Sequence, residues 1–302
     1  MRSGRQHPLF GLSCAGACLM LAATLGACSG GVLDPQGPVG AAEKAITIDA
    51  LVIMLAIVVP TLLAAFAFAW WWRASNTRAR YRPDFVYSGR IELLVWSIPL
   101  LVILFLGGVI WVGAHDLDPA EPLKAAPGVQ TEEIQVVALD WKWLFIYPRE
   151  GVASVNEVVA PAGVPVRFRI TSASVMNTFF VPQLGGMIYA MNGMETVLHL
   201  QADRPGSYYG RSGQFSGDGF SDMHFRLKAV PPAEFAAWAA ATRAKGPTLD
   251  VSTYGQLARQ SRGVAPFTYS AVRPDLFQAI LERRAAPGPG PEVAQVATKG
   301  PS

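Results

Sequence analysis

The sequence predicts a membrane-anchored α+β protein: a two-helix transmembrane hairpin, then an antiparallel β-sandwich, then C-terminal helices. Three observations predict it. The 302 residues are 51% hydrophobic and only 16% charged, well under the quarter that soluble domains usually carry. Residues 50–72 and 93–115 contain no Asp, Glu, Lys or Arg. Beyond residue 131, short apolar–polar alternations recur between Gly and Pro breaks. The net charge of +3 is too small to suggest a nucleic-acid partner.

Residues 1–27 read as a secretory signal peptide, with Arg2 and Arg5, an apolar run from Leu9 to Leu25, and a small-residue cleavage site. Leu25-Gly26-Ala27-Cys28 matches the bacterial lipobox, whose Cys is acylated through its sulfur and becomes the new N-terminus. The rival is an ordinary signal with a chance cysteine. Small residues at both positions before Cys28 suit a peptidase pocket and favour the lipoprotein. Cys14 and Cys18 would leave with the signal. Nothing after Cys28 can then supply a disulfide or a thiolate.

Residues 28–46 form an outer-face segment, and 47–115 the hairpin, with spans at about 48–72 and 91–114. Each apolar stretch is long enough for a hydrocarbon core of about 30 Å, which takes about 20 helical residues. The internal Pro60 and Pro99 are tolerated in such helices. Trp70, Trp71, Trp72 and Trp111 suit the interfaces. Two buried helices of a soluble domain would be shorter and more polar. The loop 73–90 carries Arg73, Arg78, Arg80, Arg82 and Arg90 against a single Asp84, which places it in the cytoplasm. Both ends of the hairpin then lie outside, on the face where Cys28 would carry its lipid.

A proline-rich linker, 116–130, leads to the β-domain, 131–230. In "EEIQVVALDWKWLFIYP" one strand is expected, with Val137, Leu139, Trp141, Trp143, Phe145 and Tyr147 on one face. Six further strand candidates follow, at the spacing of a small sandwich. Residues 231–285 carry two helical patterns, the second with Pro274 in its first turn. The tail, 286–302, is low in complexity and expected to be disordered.

The β-domain offers His199, His224 and the methionines 176, 187, 191, 194 and 223 as metal ligands. An electron-transfer copper needs thiolate beside imidazole, and no thiolate is present. His199 sits in a strand pattern and reads as structural. His224 follows Met223 directly, so on a strand the two face opposite sides. The run "GGMIYAMNGMET" reads as core and loop packing. Asp218 and Asp222 are too few carboxylates for a calcium loop. "SGQFSGDGF" lacks the Lys and following helix of a phosphate loop.

Lipobox, hairpin and outer β-domain together resemble subunit II of a haem-copper terminal oxidase, in the bacterial ubiquinol oxidase branch of the cytochrome bo type. The resemblance is carried by "IELLVWSIP", "ALDWKWLFIYP", "SVMNTFFVPQLGGMIYAMNGMETVLHL", "YYGRSGQFSGDGFSDMHF" and "VRPDLF", and runs from about residue 25 to about residue 285. It implies a cupredoxin-like sandwich for residues 131–230. Laid on the copper loop of the related cytochrome c oxidases, the two ligand cysteines fall on Ser212 and Ser216. The Glu falls on Gln214, the two histidines on Asn177 and Phe220, and the Met on Met223. Only Met223 survives. A hydroxyl is too weakly acidic to replace a bridging thiolate, and a phenyl ring offers no lone pair.

The resemblance thus implies a subunit with no cofactor of its own, in a proton-pumping complex that oxidises ubiquinol and reduces oxygen to water. Haems and one copper are expected in partner subunit I, with subunits III and IV and membrane lipid as further partners. The location implied is the bacterial inner membrane, with the β-domain in the periplasm. A copper-bearing cytochrome c oxidase subunit and a membrane-anchored binding lipoprotein are the rivals. Trp141 and Trp143 would have no copper to serve, so aromatic packing is the favoured reading for them. Glu92 opens the second span at its cytoplasmic end, where a carboxylate is costly. Two readings stay open for it: proton uptake, which the family suggests, and a simple interfacial anchor.

Overall fold

The computed structural model describes residues 31–80, 82–285 and 288. The signal, Cys28 and nearly all of the tail lie outside the described residues.

Two long helices come first, α1 (Pro38–Trp71) and α2 (Gly89–Asp116). Pro38 occupies the first turn of α1, where its missing N–H costs nothing. At 1.5 Å per residue, 34 residues exceed what the bilayer core requires. The helix starts about ten residues ahead of the expected span. That extra length docks on the β-domain: Gln36 N–H donates to Gln183 O at 2.7 Å, and Gly40 N–H to Leu184 O at 3.0 Å. Gly37 has to be glycine, since a Cβ there would lie 2.0 Å from Gln201 O. The apolar windows of both helices are wholly unburied, as expected for surfaces facing lipid or another membrane protein. At the far end Arg73 stacks over Trp70 at 4.9 Å and donates to Trp70 O at 2.7 Å.

The strands are β1 (Glu132–Leu139), β2 (Lys142–Tyr147), β3 (Val152–Val155), β4 (Glu157–Pro161), β5 (Val166–Ser172), β6 (Asn177–Phe179), β7 (Ile188–Ala190), β8 (Thr196–Leu200), β9 (Gly206–Arg211) and β10 (His224–Val230). There follow α3 (Pro232–Ala244), β11 (Thr248–Leu249), α4 (Val251–Leu257), β12 (Phe267–Tyr269), β13 (Ala271–Val272) and α5 (Leu276–Leu281). The main sheet runs β12-β3-β2-β1-β5-β8, and a second runs β4-β10-β9. The sandwich is mixed and not purely antiparallel: β1 pairs parallel with β5, and β10 with β4. Alternating residues alone cannot distinguish the two pairings, because side chains alternate with period two in both.

A second correction concerns residues 132–147. They form a hairpin, β1 and β2, turning at Asp140-Trp141, where Trp141 has φ +64°. The turn reverses the facing. Trp143, Phe145 and Tyr147 join Ile134, Val136 and Ala138 between the two sheets. Val137 and Leu139 point the other way with Leu144 and Ile146, under the C-terminal residues Tyr254, Leu257, Tyr269, Phe277 and Ile280. The main sheet is therefore covered on both faces, and every residue of β2 is buried. The C-terminal extension is more than helices: β12 completes the edge of the main sheet beside β3. Pro274 precedes α5 instead of sitting in its first turn, and Asp275 is its N-cap.

Candidate functional site

At one end of the sandwich, β6, β9, β10 and the loop between the last two bring together four of the six positions expected from the copper loop. Asn177 opens β6, Ser212 follows β9, Ser216 lies in the connecting loop, and Met223 precedes β10; all four are buried. Ser212 donates its hydroxyl to Asn177 Oδ1 at 3.1 Å, with Gln214 O 3.3 Å away as the alternative acceptor. The backbone of Ser212 donates to Met223 O at 3.1 Å. The Ser216 hydroxyl sits 3.8 Å from Met223 Sδ. The remaining two are looser. Gln214 is half-buried, and Phe220, in a 3-10 turn (Phe220–Asp222), packs its ring 5.7 Å from that of Phe215.

This donor set does not fit a copper pair. It holds a carboxamide, two hydroxyls and one thioether, with no thiolate or imidazole to bind a soft or borderline cation. Its side chains are also engaged: Ser212 with Asn177, Ser216 with Met223, and the Asn177 amide with Val175 O. Among the described residues no three His, Cys, Asp or Glu side chains converge. His199 is buried with Nδ1 3.1 Å from Pro119 O, so it fastens the linker to β8. His224 is exposed and stacks on Tyr209 with centroids 5.9 Å apart, while Met223 points inward. Asp218 pairs with Arg262 at 3.2 Å.

Trp141 is the residue whose part the sequence reading missed. From its turn, the indole Nε1 donates to Ser216 O at 3.0 Å. Its ring fills the space beside Gly219, where a Cβ would come within 2.3 Å of it, and Arg262 lies over the ring at 5.2 Å. Trp141 thus clamps the loop in its shape. In "LDWK" Asp140 is the one turn-favouring residue, with no Gly or Asn at the left-handed position that Trp141 takes, so the local signal was weak. Trp143 does serve packing, edge-on to Phe179 and Phe225 with centroids 5.6 Å away in each case. The methionine run is corrected: Met187 and Met194 are over half exposed, in the loop segments on either side of β7. Glu92 lies at the start of α2, and its Oε2 accepts from Trp96 Nε1 at 3.1 Å, one turn on.

The family described as cytochrome C oxidase subunit II, periplasmic domain, matches residues 139–230. The COX aromatic rich motif matches residues 243–288. A ubiquinol oxidase subunit 2 from Acetobacter aceti is 46% identical over 265 residues, 88% of this chain and 86% of that protein. The chain belongs to the ubiquinol oxidase subunit 2 family. A cytochrome bo(3) ubiquinol oxidase subunit 2 from Pseudomonas aeruginosa is also 46% identical, over 86% of this chain and 78% of its own length. A solved periplasmic domain of subunit II of cytochrome oxidase from Bradyrhizobium japonicum is 26% identical, covering 40% of this chain and 96% of its own, with a TM-score of 0.37. In this subunit 2 chain, two apolar helices and the matched periplasmic domain make a membrane-anchored protein with a cupredoxin-like fold. Its aromatic rich segment, 243–288, is the one that covers the second face of the main sheet.

Proposed function

We propose that this chain is the subunit II of a proton-pumping ubiquinol oxidase, and that it carries no copper of its own. The observation that carries the reading is the pairing of Ser212 with Asn177 and of Ser216 with Met223, at the positions where copper relatives place ligands. Electrons from a lipid-soluble quinol need no copper port on the outer face. The complex would oxidise ubiquinol and reduce oxygen to water at a haem-copper centre in subunit I. This chain docks its β-domain on that subunit and braces it with the hairpin, in company with subunits III and IV. The relatives named above as ubiquinol oxidase subunit 2 support the assignment.

The topology proposed is multi-pass in the bacterial inner membrane. The arginine-bearing loop 73–90 faces the cytoplasm, the β-domain the periplasm, and Cys28 is acylated after removal of residues 1–27. Glu92, at the cytoplasmic end of α2, is proposed for proton uptake, with a simple interfacial anchor as the rival role; its Oε2 accepts from Trp96 Nε1. The deciding experiment purifies the complex and measures copper per haem together with the electron donor. One copper per complex with quinol turnover is expected. Three coppers with cytochrome c turnover would overturn the reading.

A further inference from the structure

At the end of the hairpin nearest the β-domain, α1 and α2 flank an open groove of about 930 Å³. Ala42, Ala45 and Ile46 form one wall; Leu104, Phe105 and Gly108 are on the other. The helices touch at Gly113, where a Cβ would lie 2.6 Å from Ile46 Cδ1. Five residues away, at Gly108, nothing lies within 4 Å of the Cβ position. The small residues hold the groove open, and its volume is that of a ligand site.

We propose that this groove seats an acyl chain carried by Cys28 of the same polypeptide. The proposal rests on the lipoprotein reading above. Reach permits it. Cys28 is ten residues before Pro38, a tether of at most about 34 Å, whereas Ala42 to Asp49 lie about 6 to 17 Å along α1 from Pro38. Position favours it. The strand of chain ahead of α1 is pinned to the β-domain, with Gln36 N–H donating to Gln183 O and Asp203 N–H to Gln36 O at 2.7 and 2.8 Å. From the pinned Gln36, the eight residues back to Cys28 reach at most about 27 Å, and the intervening Val32 and Leu33 are exposed apolar residues. The tether raises the local concentration of its own acyl chain over that of any one free lipid.

Charge selects it too. Asp49 and Asp116 are the acidic residues of the groove lining. They repel the phosphate of a phospholipid headgroup. An acyl group bound through the Cys28 sulfur brings no phosphate. The seated chain fills the space between helices that otherwise meet at Gly113 and Ile46, and so stiffens the hairpin where it meets the β-domain.

The test uses the whole complex from cells fed a fatty acid bearing a diazirine. The intact mass of the subunit first reports whether Cys28 is acylated; an unacylated Cys28 overturns the lipoprotein reading and this inference together. With Cys28 acylated, irradiation should join its peptide covalently to residues 42–49 or 101–117. Gly108→Trp should abolish that crosslink while acylation stays intact. Gly107→Trp, whose Cβ also meets nothing within 4 Å but which is not part of the groove wall, should keep it. Crosslinks from acylated Cys28 to exposed Leu63 or Phe66, or to another subunit, overturn the inference alone. Equal loss in both glycine variants does the same.

Discussion

Asn156 shows how much one side chain decides in this fold. Its backbone is left-handed, at φ +55°, a conformation Asn tolerates better than most residues. Its carboxamide accepts from Trp143 N–H and donates to Val264 O, both at 2.8 Å. Asn156→Ala strands one buried and one half-buried backbone group and should cost about 3 kcal/mol, read as a lowered unfolding midpoint of the purified complex. Glu132 is a second such residue. It is 5% exposed, with its Oε1 lacking a partner, as does Glu150 Oε2. Burial first, and then the Glu150 charge, push the Glu132 carboxyl up to about 7, against the pull of Arg149 at 3.2 Å. A carboxyl raised in the folded state favours folding at low pH. That contribution is complete below about 4.5 and is lost as the pH rises through about 7. Glu132→Gln should therefore flatten the fall in thermal stability between pH 5 and pH 8; an unchanged slope would count against the assignment.

The turn between β1 and β2 and the junction of α1 with the β-domain set the geometry of the site. Trp141, held in its turn, is packed into the space that Gly219 leaves free. Gly219→Ala overpacks that contact, at a cost of about 1–3 kcal/mol. It should loosen the loop 212–223, seen as faster amide exchange there than in β2. Gly37→Ala places a methyl group against Gln201 O, so the helix must tilt or the β-domain shift. Its expected effect is on assembly: less subunit recovered with the haem-bearing partner, at unchanged synthesis. The periodic strands, the two spans and the arginine loop were legible because each is a local pattern with a physical period or length. The Asp140-Trp141 turn was not, since its stability comes from Ser216 and Gly219, some 75 residues on.

In the whole molecule the sheet is sealed on both faces, and the second seal is the C-terminal extension. Lys142 ties the two together. It is buried, donates to Arg259 O and Ser261 Oγ at 2.7 Å, and burial lowers its amine to about 8. Truncation after Ala244 removes β12 and uncovers Val137, Leu139, Leu144 and Ile146. The truncated chain should fail to accumulate in membranes, checked by immunoblot together with the haem spectrum. The sequence reading placed helices there because apolar residues recur at helical spacing, yet it could not see that the segment also contributes a strand. A three-residue strand such as β12 is defined by its partner β3 and hardly at all by its own residues.

Composition and local order were enough for the hairpin, the β-rich domain and the missing thiolates. These depend on which residue types are present and how they repeat. Under the family resemblance, Ser212, Ser216 and Phe220 stand where a copper loop would carry ligands. How those residues are used instead needed the folded chain. Asn177 and Ser212 stand 35 positions apart, and Trp141 and Ser216 stand 75 apart. Such pairs meet only when mixed sheet pairing brings distant strands side by side. The same holds for the groove between α1 and α2: its glycines are visible in the sequence, but which of them touches the other helix and which leaves room is set by the crossing of the two helices.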